Sequence, residues 1–304
     1  MENSNPPSKS PSKHYGLNRQ ELALVCVTMV WGGTFLTVHT AMLYAPPFFF
    51  VSFRFFLASL FTAMVFWRCM SRMTFKEIQA GSLIGVAIFL GYGLQTWGLQ
   101  SIPSSQSGFI TALYVPMVPL LQWVVLRRPP HIMSWAGIVL AFSGLVLLSG
   151  PGAGSISLNK GEIATLLGAL AIASEIILIS RFASTVDTRR VTVVQLFVAG
   201  ALSLMTMPLN GESFPEFSWY WLICGVGLAA ASALIQLAMN WAQKSVSPTK
   251  ATIIYAGEPV WAGVIGWLAG ELMPALAFAG ALLIVAGVIT SEIRPTFLEK
   301  KEAS

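Results

Sequence analysis

Three ionisable side chains, Arg54, Glu175 and Glu258, lie deep inside long apolar segments of the chain. A charge near the centre of a lipid bilayer costs about 2.5–3.5 kcal/mol on insertion scales, so such residues usually face a cavity or a partner. A buried carboxylate can bind an ammonium group or carry a proton. A buried guanidinium can bind an anion or the carbonyls at a helix end. The three residues therefore mark candidate positions for binding a charged ligand.

Glu258 is the leading candidate because it directly precedes Pro259 in the middle of an apolar segment. Pro259 has no N–H to donate to the carbonyl of Tyr255, so a helix must bend or unwind there. Pro116 and Pro119 interrupt an earlier apolar segment in the same way. Broken helices near the bilayer midplane are typical of transporter binding sites, so these prolines are candidate gating bends. The alternative is that Glu258 only caps the freed backbone groups.

The remaining candidates each have a structural alternative. Glu175 either lines a cavity or reaches the interface beside Arg181, and Arg54 either contacts an anion or binds carbonyls at a helix end. Polar residues in membrane helices can also bond only to neighbouring helices. With that alternative open, the further candidate pocket residues are Trp31, Gln95, Trp97, Tyr114, Gln236, Asn240, Tyr255 and Trp261.

The composition indicates a membrane protein. Hydrophobic residues make up 55% of the 304 residues and charged residues only 10%, against about 25% charged residues in a soluble domain. Spans of about 20 apolar residues form helices in lipid, because a helix satisfies its own backbone polar groups. The predicted fold is an all-α polytopic membrane protein with ten transmembrane helices. They are placed at about residues 21–43, 47–67, 78–99, 104–126, 131–150, 161–180, 191–209, 218–243, 250–270 and 274–292.

The basic residues predict the orientation of this bundle. All but Lys160 and Arg54 of the 18 lysines and arginines fall in the terminal segments and in every second connection. Short cytoplasmic loops collect such residues, so both termini are predicted to be cytoplasmic, in a bacterial inner membrane. The net charge of +5 is spread over six segments. It therefore predicts contact with membrane lipid and no nucleic-acid binding.

The chain contains an internal repeat, because residues 104–150 resemble residues 247–293. Five helices in each half would place the second half upside down in the membrane, as in many secondary transporters. Small residues at matching places predict close helix packing. The matching positions are Pro116 and Pro259, Gly137 and Gly280, and Gly144 and Gly287.

The predicted organisation has five parts. They are a disordered cytoplasmic tail at 1–20, a first five-helix repeat at 21–150, a periplasmic linker at 151–160, a second five-helix repeat at 161–292 and a cytoplasmic tail at 293–304.

Four stretches carry a resemblance to a known family. They are WGGTF at 31–35, FRF at 53–55, residues 105–119, and residues 247–271 with EPVW at 258–261 and a closing Gly270-Glu271. In these stretches the chain resembles the EamA-type drug/metabolite transporters, which have ten spans in two inverted halves. The family pattern also carries Gly-Glu after the fourth span, where this chain has Arg127-Arg128. The resemblance implies a transporter of amino acids, related metabolites or toxic compounds, and it does not choose among them.

The predicted function is a secondary transporter that moves a small metabolite, foremost an amino acid or related compound, across the cytoplasmic membrane. Alternating access is the expected mechanism, export the expected direction, and protons the candidate coupling ion. The alternatives are an exporter of drug-like or toxic compounds, a membrane channel, or an integral membrane enzyme. The three histidines and three cysteines show no metal-ligand spacing, and no nucleotide-binding loop is present. No enzyme activity, cofactor or metal is therefore predicted.

Overall fold

The computed structural model describes residues 18–126, 132–148, 158–272 and 274–292. Within these ranges the chain is helical and contains no β-strand. The helices are α1 (Arg19–Ala41), α2 (Pro47–Val65), α3 (Trp67–Met70), α4 (Phe75–Gly98), α5 (Ser104–Thr111), α6 (Tyr114–Leu126), α7 (Ile132–Leu148), α8 (Lys160–Phe182), α9 (Thr188–Leu209), α10 (Trp219–Ala242), α11 (Pro248–Tyr255), α12 (Glu258–Leu268) and α13 (Ala275–Glu292). Arg127-Arg128, most of the predicted linker and almost all of both predicted tails lie outside the described residues.

Seven segments are long and apolar enough to cross a membrane, judged by length and composition. They are α1, α2, α4, α8, α9, α10 and residues 104–124, which join α5 to most of α6. The fifth and tenth predicted spans correspond to α7 and α13, which contain shorter apolar helices, and the ninth is divided between α11 and α12. The protein is thus an all-α, multi-pass membrane protein, and the count of ten spans stays a prediction.

The two halves of the chain begin with the same local structure. Asn18 accepts a hydrogen bond from the Glu21 N–H at 2.8 Å, and the Glu21 carboxylate accepts from the Asn18 N–H. Asn159 and Glu162 repeat this arrangement at the start of α8, again at 2.8 Å for the first bond. Such a capping box satisfies two backbone donors that the first helical turn leaves free. It fixes the first residue of α1 and of α8 equivalently.

Helix packing follows a two-fold scheme in which α1, α2 and α4 correspond to α8, α9 and α10. The pairing of α4 with α8 then matches that of α1 with α10, and the pairing of α4 with α9 matches that of α2 with α10. Two further pairs, α2 with α9 and α7 with α13, relate an element to its own counterpart. Reciprocal pairs of this kind are what two structurally equivalent halves produce.

The pair α7 and α13 is held by the glycines that the sequence singled out. A Cβ atom added to Gly144 would lie 2.6 Å from the carbonyl oxygen of Gly280, and one added to Gly287 would lie 2.7 Å from that of Gly137. Only glycine permits such close approach of two helix backbones. The predicted small-residue seam is therefore confirmed, and it joins the two halves reciprocally.

The distribution of polar residues is inverted relative to a soluble protein. Large apolar side chains such as Leu60, Val139 and Leu234 point outward, which suits a surface that faces lipid. Many buried side chains are instead polar or charged, including Arg54 and Glu175. Buried polar groups are the informative exceptions in any fold, so the centre of the bundle is where a functional site is to be sought.

Candidate functional site

Helix breaks occur next to Pro116 and Pro259. One separates α5 from α6 and the other separates α11 from α12. At the first break the Val115 N–H donates to the Ala112 carbonyl at 3.0 Å, so this carbonyl is satisfied although Pro116 cannot reach it. Pro119 lies inside α6 without ending the helix. The two breaks occupy equivalent places in the two halves and present backbone ends to the bundle interior.

The two breaks are joined by Tyr114, the first residue of α6, and Glu258, the first residue of α12. The Tyr114 hydroxyl donates to Glu258 Oε2 at 2.9 Å and lies 3.4 Å from the carbonyl oxygen of Tyr255. That carbonyl is the one that Pro259 leaves without an N–H donor. Tyr114 and Tyr255 are fully buried and Glu258 is 2% exposed. A side chain of the first half thus binds both polar groups at the break in the second half.

Two aromatic side chains of the first half, Trp31 and Tyr92, line the same interior. The Trp31 Nε1–H donates to the Tyr92 hydroxyl at 2.8 Å. The Trp31 ring packs edge-on against the Tyr255 ring with centroids 5.6 Å apart. Both tryptophan and tyrosine keep their polar atoms paired in this arrangement, as buried aromatic residues usually do. Trp31 of α1 and Tyr92 of α4 therefore form a wall that reaches the break at Tyr255.

Arg54 of α2 is buried among rings and one hydroxyl. Its Nε donates to Ser232 Oγ of α10 at 2.6 Å, and its guanidinium carbon lies 5.2 Å from the Tyr92 ring and 5.3 Å from the Phe55 ring. Aromatic faces stabilise a cation at such distances. Among the described residues Arg54 has no carboxylate partner. The described contacts of Arg54 do not include the helix-end carbonyls considered from the sequence, and its binding of an anion stays a prediction.

Amide side chains of α9 and α10 form a chain that ends at Glu175 of α8. Asn240 Nδ2 donates to Gln195 Oε1 at 3.2 Å, and Gln195 Nε2 donates to Gln236 Oε1 at 2.7 Å. Gln236 Nε2 then donates to Glu175 Oε1 at 2.7 Å. All four side chains are 3% exposed or less. Gln195 and Gln236 each use both their carbonyl and their N–H₂ group, so these amides hold the carboxylate in one orientation.

Glu175 is not an interfacial residue. Its side chain is fully buried, Arg181 is exposed, and the described ion pairs do not join the two. Residues six apart lie on different faces of an α-helix, so the Arg181 side chain cannot follow that of Glu175 into the interior. Of the two interpretations of Glu175, the interior one agrees with its position.

The other predicted pocket residues differ in their places. Gln95 is buried and donates to Thr111 Oγ1 at 3.0 Å, which is a bond between neighbouring helices. Trp261 is half-buried and packs against Gly32 of α1. The groups described above form an interior cluster, whose candidate residues are Trp31, Arg54, Tyr114, Glu175, Gln236, Asn240, Tyr255 and Glu258. Trp97 is also half-buried, and no described hydrogen bond or ring contact joins it to this interior cluster.

Four residues of this cluster escaped the sequence interpretation: Tyr92, Gln195, Ser232 and Gln243. Gln243 Nε2 lies 3.3 Å from the Tyr255 hydroxyl, which gives that buried ring its polar partner. Gln195 carries the same signal as Gln236, namely an amide inside an apolar span, and could have been found. Nothing local distinguishes Tyr92 or Ser232, because their roles depend on helices far away in sequence.

The Gly270-Glu271 pair of the family pattern has a structural role at one end of the bundle. Gly270 has a φ of 89° and ends α12 in a left-handed turn, in which the Glu271 N–H bonds the Gly266 carbonyl at 3.0 Å. Glycine adopts this conformation without strain. The Glu271 carboxylate then accepts from the N–H groups of Ser104 and Ser105, each at 3.0 Å. A residue of the second half thus caps the N-terminus of α5 in the first half.

Gly211-Glu212 repeats this device after α9. Gly211 has a φ of 73°, and the Glu212 N–H bonds the Met207 carbonyl at 3.0 Å. Glu212 Oε2 accepts from the N–H groups of Phe48 and Phe49 at 3.0 and 3.2 Å, at the start of α2. A carboxylate is favourable there because free N–H groups and the helix dipole make a helix N-terminus electropositive. Both caps fasten the second half to the first.

The described ion pairs lie at the opposite end of the bundle. Lys250 of α11 pairs with Glu21 of α1, and Arg190 of α9 pairs with Glu77 of α4 at 2.9 Å. The counterpart of the first pair at the Glu271 end is a hydrogen bond of 2.6 Å from Gln106 Nε2 of α5 to Glu162 of α8. Glu21 and Glu162, the capping-box glutamates at the start of the two halves, thus each contact the broken helix of the other half.

Replacing Glu271 by Ala is expected to lower the free energy of unfolding by about 1–3 kcal/mol, because the mutant leaves the first N–H groups of α5 uncapped. Burial opposes ionisation of Glu271, but the bonds from Ser104 and Ser105 outweigh it and lower its pKa below 4.5. The stabilisation is therefore present above the unfolded pKa, and it is lost as pH falls through the lowered folded pKa. Thermal unfolding in detergent as a function of pH measures this, with exposed Glu216→Ala as the control. Equal midpoints for both variants at neutral pH would contradict the capping role.

The fold and the site together define a class of protein. Two alike helical halves meet at paired helix breaks, and charged groups are buried at their junction. This is the architecture of a membrane transporter.

Comparison with known proteins agrees with that class. The model of the EamA-like transporter family matches residues 19–150 and again 159–291. An uncharacterized transporter of Archaeoglobus fulgidus is 31% identical over 276 residues, which cover 90% of this chain and 86% of that protein. The uncharacterized inner membrane transporter YedA of Escherichia coli is 25% identical over 278 residues, covering 88% of each protein. A crystal structure of a protein 17% identical covers 95% of this chain with a TM-score of 0.66, which shows a shared fold alone. The chain belongs to the EamA-like transporter family and is a membrane transporter.

Proposed function

We propose that the protein is a secondary transporter that exports a small metabolite, foremost an amino acid or related compound, by alternating access. The observation that carries this proposal is the bond between Tyr114 and Glu258 across the two helix breaks. A substrate bound there would contact both halves at once. Its binding or release can therefore bias the position of one half relative to the other, which alternating access requires.

The charged groups around this junction suit a substrate that carries both signs of charge. Arg54 is buried on the side of α2 and α4, and Glu258 is buried at the start of α12, each without an ion-pair partner among the described residues. Tyr92 lies within electrostatic range of Arg54, Glu175 and Glu258, so the three groups belong to one cluster. A carboxylate of the substrate would bind Arg54 and an ammonium group would bind Glu258, since a buried charge is stabilised by a partner. Trp31 and Tyr255 would flank the bound compound.

The two halves are in contact at both ends of the bundle. The Lys250 end has the Glu21–Lys250 pair, and the opposite end has the Gln106–Glu162 bond and the Glu271 cap. We take this conformation to be an occluded state, from which transport requires these contacts between the halves to part alternately. We place the Lys250 end in the cytoplasm because basic residues gather there, in a bacterial inner membrane.

A second candidate class is the drug-like or toxic compound. An apolar cavity of 390 Å³ lies between α5, α12 and α13, and its lining includes Phe109, Val264, Trp267, Phe278 and Leu282. Its lining is suited to a hydrophobic compound entering from the bilayer. Such a compound would bind in this cavity, either instead of binding at the interior cluster or in addition to it.

The test is flux into proteoliposomes that contain the purified protein. Radiolabelled L-threonine, L-phenylalanine and L-lysine, together with a hydrophobic organic cation, would be offered with and without a pH gradient. The proposal expects saturable flux of at least one amino acid, faster when unlabelled compound is present on the far side, because carriers exchange. Flux of the organic cation alone would favour the second candidate. Unsaturable flux without exchange would indicate a channel and contradict the proposal.

A further inference from the structure

We infer that Glu175 takes up and releases a proton during the transport cycle, at a position separate from Glu258. This inference rests on the proposed transport function and on the balance of buried charges. The interior cluster contains one guanidinium, Arg54, and two carboxyls, Glu175 and Glu258, all at most 3% exposed. An unbalanced charge is costly to bury. A proton on one of the two carboxyls leaves one negative and one positive group, so the closed cluster is neutral.

The hydrogen bonds indicate which carboxyl holds that proton. Glu258 Oε2 accepts a bond from the Tyr114 hydroxyl, which stabilises the ionised group. Glu175 Oε1 accepts from Gln236, but Glu175 Oε2 is buried without a hydrogen-bond partner in the described part of the chain. Most buried polar atoms are paired, so an exception requires an explanation. A proton on Oε2 removes the charge that would otherwise be left without a partner.

The amide chain gives this carboxyl a fixed orientation. Because Gln236 is itself held by Gln195, and Gln195 by Asn240, its N–H₂ group is directed at Oε1. Oε2 is therefore the oxygen that stays available. Glu175 and the three amides all lie on α8, α9 and α10 of the second half. They can therefore move as a unit while the contacts of α8 to α4, α6 and α11 change. When the cluster opens to water, the proton can leave Oε2 for solvent, and the amide bond to Oε1 remains to stabilise the carboxylate.

The architecture itself does not require a carboxyl at this position. Counted from the starts of their helices, Gln195 and Gln236 correspond to Arg54 and Tyr92 of the first half, and Glu175 corresponds to Thr34. Thr34 is buried and bonds only the Trp31 carbonyl of its own helix, at 2.7 Å. The same place is thus filled in the first half by a neutral side chain. Within the residues that the structure describes, this carboxyl and its amide chain are found in the second half and not in the first.

The groups that face Glu175 are consistent with a titrating role. Helix α8 packs against α4, α5, α6, α10 and α11. Among these, α5 has no titratable side chain and α10 presents amides. Tyr92 of α4 and Tyr255 of α11 interact electrostatically with Glu175, and Tyr114 of α6, Arg54 of α2 and Glu258 of α12 are the further buried ionisable groups of the interior. The other titratable residues of α4, α10 and α11 lie in the first two turns of their helices: Lys76, Glu77, Tyr220, Cys224 and Lys250. The tyrosines stay neutral at physiological pH, so Glu175 and Glu258 are the groups of this cluster that can exchange a proton.

Infrared difference spectra between acid and alkaline pH test the site without a substrate. The full-length protein in lipid is expected to show the C=O band of a buried protonated carboxyl, and Glu175→Gln is expected to lose it. Glu162→Gln, which removes a buried carboxyl bonded to Gln106 at the Glu271 end, is expected to keep it. Glu175→Asp, which retains the carboxyl, is expected to shift the band, and it serves if the Gln variant does not fold. A band unchanged in Glu175→Gln and Glu175→Asp, or absent from the wild type, would overturn the inference.

The transport assay then tests the coupling. With the labelled amino acids above, Glu175→Gln is expected to lower the accumulation driven by a pH gradient at least tenfold. The variant is expected to retain exchange of labelled for unlabelled compound. Exchange needs no net proton release, whereas accumulation does. Accumulation that persists in Glu175→Gln would overturn the coupling role. If no compound is carried by the wild type, the proposed function fails, and the infrared result still decides whether Glu175 titrates.

Discussion

Replacing Glu258 by Gln is expected to lower transport by about 10–100-fold at subsaturating substrate. The variant keeps a side-chain oxygen that can accept the Tyr114 hydroxyl, so the junction at the helix breaks remains formed. It loses the negative charge that would bind a substrate ammonium group or a proton. A hydrogen bond to a charged group contributes about 1.5–3 kcal/mol, and each 1.4 kcal/mol is tenfold in binding. Initial rates in proteoliposomes over a range of pH measure the effect.

Two further variants separate charge from structure in that experiment. Tyr114→Phe removes the hydroxyl but leaves the Glu258 charge, so it is expected to reduce transport less than Glu258→Gln does. Glu216→Gln removes an exposed carboxylate outside the cluster, and it is expected to leave the pH profile unchanged. Transport by Glu258→Gln with the wild-type rate and pH dependence would show that the carboxylate serves only the helix break.

The parts of the fold that could be predicted from the sequence have covalent or local causes. Proline cannot donate a backbone hydrogen bond, so the break before Pro259 follows from one residue type. The glycine seam of α7 and α13 was visible because Gly144 and Gly287 stand at matching places in the repeat. The number of spans could not be fixed in the same way. The break that Pro259 causes also shortens the apolar helices by which spans are counted.

The candidate site can be predicted from the sequence only in part, because its contacts join residues that are far apart in the chain. Glu258 and Tyr114 are each conspicuous in sequence, but their bond joins residues from different halves and needs the tertiary fold. Arg54 was recognised as unusual, whereas its partners Ser232 and Tyr92 are ordinary residues in their own helices. Their importance arises only where α2, α4 and α10 meet.

The Gly-Glu pairs illustrate a different failure of sequence reasoning. In the sequence Gly270-Glu271 belongs to a family pattern that assigns it no role, and no pattern distinguishes Gly211-Glu212. In the structure both pairs end a helix of the second half and cap a helix of the first. The shared signal is a left-handed glycine followed by an acid, and its consequence depends on which helix N-terminus lies nearby. Capping of a helix in one half by a residue of the other half therefore cannot be predicted from the local sequence alone.

Replacing Gly32 by Ala is expected to destabilise the protein by about 1–3 kcal/mol and to abolish most transport, because α1 and α12 touch at this glycine. A Cβ atom at position 32 would lie 2.5 Å from Trp261 Cβ and 2.9 Å from the Ala262 backbone nitrogen. Helix α12 must then move, and it carries Glu258 at its first residue, so the bond to Tyr114 would be stretched.

The neighbouring Gly33 provides the matched control. A Cβ atom there would meet only Ile265 Cδ1, at the ordinary contact distance of 3.6 Å. Gly33→Ala is therefore expected to be neutral, or to stabilise the helix by about 0.5–1 kcal/mol, since glycine is the poorer helix former. Thermal unfolding and amino-acid flux in the same preparations compare the two variants. Equal behaviour of Gly32→Ala and Gly33→Ala would mean that the contact between α1 and α12 does not position Glu258. A difference confined to Gly32→Ala would connect the packing of α1, through α12, to the bond on which the proposed mechanism depends.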